Sequence, residues 1–170
     1  MLRVPASSEP IEGLFPAFLH RYAARYPAVQ LRLVEADAAE QLTMLERGEL
    51  HLSVNVINIV QLDTHRFESY LLPHFYVLAA CAASRGIAAA ETVEICELVE
   101  HPLLLPKPGF ATRILFDAAC RLAAVRPNIF VESVSSHALV ALAEAEHGVA
   151  VVPSHHAART QGLASQAGDP

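Results

Sequence analysis

The apolar residues of this chain change period along its length, and that change restricts the folds open to it more than any single motif. Val29, Leu31 and Leu33 alternate with Gln30 and Arg32, the two-residue period of a strand. Before them, Ile11, Leu14, Phe15, Phe18, Leu19, Tyr22 and Tyr26 recur at three- and four-residue spacing, which predicts a helix with one broad apolar face. Residues 2–6, LRVPA, read as an opening strand. Pro27 closes the helix, and Pro16 is expected near its first turns or at a kink, because proline has no amide hydrogen. Asp37 and Glu40 have the spacing of a capping box for a helix carrying Ala39, Leu42 and Leu45, with Gly48 placed to end it. Leu50, Leu52 and Val54 alternate as a third strand. Strand–helix–strand–helix–strand implies a parallel sheet with right-handed crossovers.

Residues 55–66 show no period and read as a connector. The segment Phe67 to Cys81 is apolar and β-prone enough for one or two strands, and the boundary between two lobes falls near Pro73. The alternation then resumes. LLL at 103–105 is a strand, Ala111 to about Ala124 a helix, and IFVESV a strand. SSHALVALAEAEHGVAVV reads as two serines, a short helix from His137, a glycine stop and a buried strand. Ala88 to Leu98 are expected as a helix or loop on the flank. The expected organisation is a first lobe over 1–73, a second over 74–155 and a tail over 156–170. The fold class is α/β, with two Rossmann-like lobes and mainly parallel sheets.

Of the 170 residues 53% are hydrophobic and 18% charged, ample for a packed core and too little charge for disorder. The net charge of −6, with no run of Lys or Arg, argues against direct DNA binding by this chain, which would need phosphate neutralisation. Cys81, Cys96 and Cys120 lie far apart and form no CxxC pair, so buried thiols in a reducing compartment are expected. The start, MLRVPASSEPIEG, is too broken by Pro5, Ser7, Ser8 and Glu9 for a signal-peptide core, and no apolar run reaches the ~20 residues of a membrane span. These features point to a cytoplasmic protein without membrane contact.

In open parallel sheets, ligands bind beyond the carboxyl ends of the strands, at loops leading into helix N-termini. Four such loops can be named: Ser7 and Ser8; Ala36 to Ala38; Pro106 to Arg113 (PKPGFATR); and Ser135 with Ser136. Free amides and the positive dipole end suit a carboxylate ligand there. Ser8 and Ser136 could equally cap their own helices. Arg113 could pair a carboxylate, or sit solvated in a first helical turn. Phe110 could wall the ligand or pack in the core, and Lys107 reads as surface. His155 and His156 are adjacent and diverge, HExxH is absent, and so are GxSxG, GxGxxG and the P-loop. No metal, cofactor or catalytic constellation is expected.

Four stretches together resemble the effector-binding domain of LysR-type transcriptional regulators. They are LRVPASS, LFPAFLHRYAARYPAVQLRLVEADAAEQLTMLERGELHLSV, HPLLLPKPGFATR and VESVSSHALVALAEAEHGVAVVPS. The second is the most specific, through its F–x6–YP–x–V–x–L–x–L–x–E spacing and the following L–x–x–G–x–L. The resemblance implies a type 2 periplasmic-binding-protein-like fold and a non-enzymatic sensor. It implies a small organic anion held between the lobes, with Ser7, Ser8, Pro108, Gly109, Phe110, Arg113, Ser135 and Ser136 as its contacts, and a homodimer through the first helix. The chain departs from the family in three ways. No winged helix-turn-helix precedes LRVPASS. The first lobe is expected to lack the returning part that follows VVPS. And His51 stands where the family usually has Asp, with no arginine in NVIN. A transport-type solute receptor, an enzyme on the same fold and a remnant of a regulator are the competing readings.

Overall fold

A computed structural model describes residues 1–5, 8–54, 66–71 and 76–154; residues 8–14, 17 and 38 are described by backbone alone. Residues 55–65 of the predicted connector over 55–66, and the tail, lie outside the described residues. The chain divides into two compact units, Met1–His74 and Phe75–Pro170.

In the first unit, β1 (Leu2–Pro5) and β2 (Leu31–Val34) are parallel neighbours, in register from Leu2 opposite Leu31 to Pro5 opposite Val34. The helix α1 (Ser8–Arg25) connects them. Pro16 lies in its middle and not in its first turns, so the carbonyl of Glu12 lacks the amide that any other residue would supply. The broad apolar face is only partly used: Phe15 is buried, whereas Phe18 and Tyr26 are 40% and 45% exposed. Phe15, Phe18, Tyr22 and Tyr26 stack along the helix with ring centroids 5.5, 5.4 and 4.9 Å apart, which shelters aromatic surface that no other element covers fully.

The capping box of α2 (Ala38–Glu46) forms as expected. Asp37 Oδ1 accepts from the amides of Ala39 and Glu40, and Glu40 Oε2 accepts from the Asp37 amide at 3.0 Å. Gly48, at φ +69°, occupies the left-handed position after the helix, where the amides of Gly48 and Glu49 return to the carbonyls of Leu45 and Met44. The third strand expected over Leu50 to Val54 does not form as a strand. One ladder bond exists, from the His51 amide to the Arg3 carbonyl at 3.0 Å. Beyond it, side chains take the place of backbone partners. His51 Nδ1 accepts from the Arg3 amide, and Gln41 Oε1 accepts from Ser53 Oγ and from the Val54 amide.

The second unit holds a four-stranded sheet in the order β3-β6-β4-β5: β3 is Val77–Ala80, β4 Leu103–Pro106, β5 Ile129–Ser133 and β6 Val149–Pro153. β4 runs parallel to both β5 and β6, while β3 is antiparallel to β6. Among the described residues of the segment 67–81, only β3 is a strand; residues 67–71 carry no regular structure. Successive β4 side chains leave on opposite faces. Leu103 and Leu105 join Phe116 and Cys120 of α4 (Ala111–Leu122), Ile87 of a single 3₁₀ turn (Gly86–Ala89) and Leu98 of the short α3 (Ile95–Leu98). Leu104 joins Leu139, Val140 and Ala143 of α5 (Ser136–Glu144). Both faces are covered, which is why LLL and VAVV are unbroken apolar runs and not alternating ones. The sheets are mainly parallel and the fold is α/β, as predicted.

Two glycine and cysteine expectations change. The stop after α5 is not a glycine: Glu146 takes the left-handed position at φ +64°, and its amide and that of His147 return to Ala143 and Leu142. Gly148 instead answers a close approach, since a Cβ there would sit 2.3 Å from the Pro102 carbonyl oxygen. Cys81 and Cys120 are buried, and burial pushes both thiols up, but Cys96 is exposed on α3. None of the described helices is long and apolar enough to cross a membrane.

Candidate functional site

The carboxyl ends of β4 and β5 lie side by side in the second unit, so the loops into α4 and α5 start from neighbouring points. The Lys107 amide donates to the Ser133 carbonyl at 3.1 Å, which ties the two exits together. Pro108 and Gly109 form the turn after β4, with Gly109 at φ +95°, a conformation that a side chain would strain. Phe110 is half-buried and occupies the N-cap of α4 with no side-chain capping bond. The N-cap residue of α4 therefore offers no side-chain acceptor to its first turn, unlike α2, whose own Asp37 fills that role.

On the β5 side, Ser133 Oγ accepts from the Ser135 amide at 3.1 Å, and Ser135 Oγ accepts from the Ala138 amide at 3.3 Å. Ser135 thus caps α5; the cap assigned from sequence to Ser136 lies one residue too late. Ser136 opens the first turn and is only 2% exposed. Ser8 is the first residue of α1 with its side chain undescribed, and Ser7 lies outside the described residues. The structure therefore places Pro108, Gly109, Phe110 and Arg113 after β4 and Ser135 and Ser136 after the neighbouring β5.

Arg113 is not the solvated side chain that was one of the two roles weighed for it from sequence. It is 8% exposed, donates from Nε to Asp117 Oδ1 at 2.9 Å, and from Nη1 to the Pro106 carbonyl at 3.1 Å and to Glu132 Oε1. Burial works against its charge, but the hydrogen bonds and charges of Glu132 and Asp117 outweigh that and raise its pKa. One guanidinium faces two carboxylates, so it is an internal strut joining β4, α4 and β5. Sequence reasoning missed Glu132, which only the sheet brings near, and Thr112, fully buried in the first turn of α4. The i,i+4 spacing of Arg113 and Asp117 was the one visible signal.

An apolar recess of about 370 Å³ lies elsewhere in the second unit, lined by residues including Val77, Val93, Ile95, Leu115 and Phe116, with none from these loops. Among the described residues no cluster of His, Cys, Asp and Glu could hold a metal.

A model of the LysR substrate binding domain matches residues 1–166. The chain is 28% identical over 130 residues to the uncharacterized HTH-type transcriptional regulator YcgK of Bacillus subtilis (strain 168), covering 68% of this chain and 40% of that one. It is 24% identical over 163 residues to the HTH-type transcriptional regulator TtuA of Agrobacterium vitis, covering 90% and 50%. It thus spans half the length of these relatives or less. In structure it is similar to the effector binding domain of QuiR in complex with shikimate (TM-score 0.77, 12% identity, 99% of this chain and 80% of that one). It is also similar to the BenM effector binding domain with its effector benzoate (TM-score 0.74, 19% identity, 99% and 78%). The fold is therefore that of the type 2 periplasmic-binding-protein-like effector domains.

Proposed function

The chain belongs to the LysR substrate binding domain family, and from that premise we propose that it is the effector-sensing part of a transcriptional regulator that binds a small organic anion. The observation that carries this reading is the pairing of two helix starts at the exits of β4 and β5, with α4 lacking a side-chain cap. Amide donors held on a rigid sheet suit a carboxylate, because the helix dipole and the fixed geometry favour negative charge there. Pro108, Gly109, Phe110, Ser135 and Ser136 supply the contacts from this unit. Arg113 contributes by holding the Pro106 end of the loop. The solved domains carrying benzoate and shikimate support the choice of small organic acids as ligands.

The test is calorimetry of the chain against a panel of small organic acids that includes benzoate and shikimate, repeated with Phe110→Ala and Ser136→Ala. A ligand whose affinity falls in both variants supports the site. Binding that neither variant changes moves the site elsewhere, and heat from no acid in the panel overturns the anion reading.

A homodimer is part of the same proposal. Its support is apolar surface left uncovered in each unit: Phe18 on α1 and Tyr26 just after it, and, in the second unit, Leu122, 90% exposed, and Phe130, 60% exposed. Sedimentation should show self-association that Phe130→Ser weakens; a monomer at high concentration would remove this part.

A further inference from the structure

We infer that the apolar recess of the second unit binds a small organic cation, a hydrophobic amine whose body enters the recess while its ammonium group stays at an acidic rim. The recess exists because the connection from β3 to β4 supplies only a 3₁₀ turn and the four-residue α3, where a longer helix would cover the sheet. Val77 and Ala79 of β3, and Val93 and Ile95 of that connection, pack against the core around Leu103 and Leu105 but stay only partly buried. Phe116 and Val151 are buried walls, 3% and 0% exposed. Its volume of about 370 Å³ lies inside the range of about 300–1,000 Å³ that small-molecule sites occupy.

The lining fixes the body of the ligand and its surroundings fix the sign of the head. None of the described lining residues is charged, and Thr92 is the one polar side chain among them. An acid entering the recess would lose water and gain no donor beyond that hydroxyl. Glu91, Glu94 and Glu97 are exposed and interleave with the lining residues Thr92, Val93, Ile95 and Leu98. Glu94 and Glu97 each precede a lining residue of α3 by one position, about 100° around the helix. No Lys or Arg occurs between Arg85 and Lys107. None of the three glutamates has an ion-pair partner among the described residues.

An amine with an apolar body satisfies both conditions, as a lysine does when its stem lies on apolar surface and its charge stays in water. Burial of the body supplies the affinity, and the uncompensated carboxylates select the cation over the matching acid. No residue of the loops into α4 and α5 lines the recess. The inference therefore stands or falls independently of the organic-anion reading, and the two sites select ligands of opposite charge.

The test is titration of the intact 170-residue chain with phenethylamine and with hydrocinnamate, which carries a carboxylate on the same apolar body, read from the methyl chemical shifts of Val93, Ile95 and Leu115. Phenethylamine should move these methyls saturably, and hydrocinnamate should leave them in place. Ala119→Leu fills the recess from α4 and should abolish the response. Glu94→Gln combined with Glu97→Gln should weaken it roughly two- to tenfold, the worth of two solvent-exposed charge contacts. No saturable shift, an equal response to the two probes, or binding unchanged in either variant overturns the inference. Methyls that move with protein concentration alone and ignore the amine also overturn it, because a second copy of the chain then covers the recess.

Discussion

Arg113, in the first turn of α4, and Glu132, nineteen residues later on β5, share a hydrogen-bonded ion pair in the second unit. The same guanidinium nitrogen also holds the carbonyl of Pro106, the last residue of β4. Three elements therefore meet on one side chain, at the point where the proposed effector loop begins.

Arg113→Ala should cost stability before it costs anything else. Removing one partner of a buried pair costs about 3–5 kcal/mol, but Asp117 and Glu132 are a third or more exposed, so solvent reduces the penalty to roughly 2–3 kcal/mol. Urea unfolding measures it. A loss below about 0.5 kcal/mol would mean that Arg113 behaves as an ordinary surface residue.

The two faces of β4 can be tested apart. Leu105→Ala opens a cavity against Phe116 and Cys120, and Leu104→Ala one against Leu139 and Ala143. Each should cost about 2–5 kcal/mol in unfolding experiments. A cost near zero for either would show that its face is not packed as described.

Gly148→Ala should destabilise through collision and not through backbone strain. The added methyl meets the Pro102 carbonyl oxygen at 2.3 Å, and backbone cannot swing aside as a long side chain can. A cost of about 1–3 kcal/mol is expected. Gly86→Ala is the control: its Cβ meets nothing within 4 Å, and its thermal midpoint should barely move.

Thiol labelling should separate the cysteines. Cys96 is exposed and should react with a disulfide reagent in the native chain, while Cys81 and Cys120 should react only on unfolding. Burial raises both of the latter, so the fold favours their protonated forms. Their contribution to stability is present below about pH 8.5 and lost as pH rises above it. Unfolding of Cys120→Ala between pH 8 and 10 should show a shallower decline than the wild type. Fast labelling of three thiols in the native chain would contradict this placement.

Local chemistry made much of the fold readable from the residues alone. The capping box at Asp37 and Glu40, the left-handed stop at Gly48 and the strands of the second unit depend on neighbours a few positions apart. Period and cap residues report such neighbours directly. Apart from the helix ends at Ser135 and Glu146 and the place of Pro16 in α1, the misreadings involve partners distant in the chain. Leu50 to Val54 carry a strand's alternation, yet the ring of His51 and the amide of Gln41 occupy the bonds a ladder would use. Gly148 looks like a helix stop until Pro102 is placed against it. Arg113 reads equally well as an anion contact or a solvated side chain until β5 brings Glu132 alongside it. A hydrogen bond or a steric contact depends on distances of an ångström or less. Only the packed sheet and helices determine those distances for residues tens of positions apart.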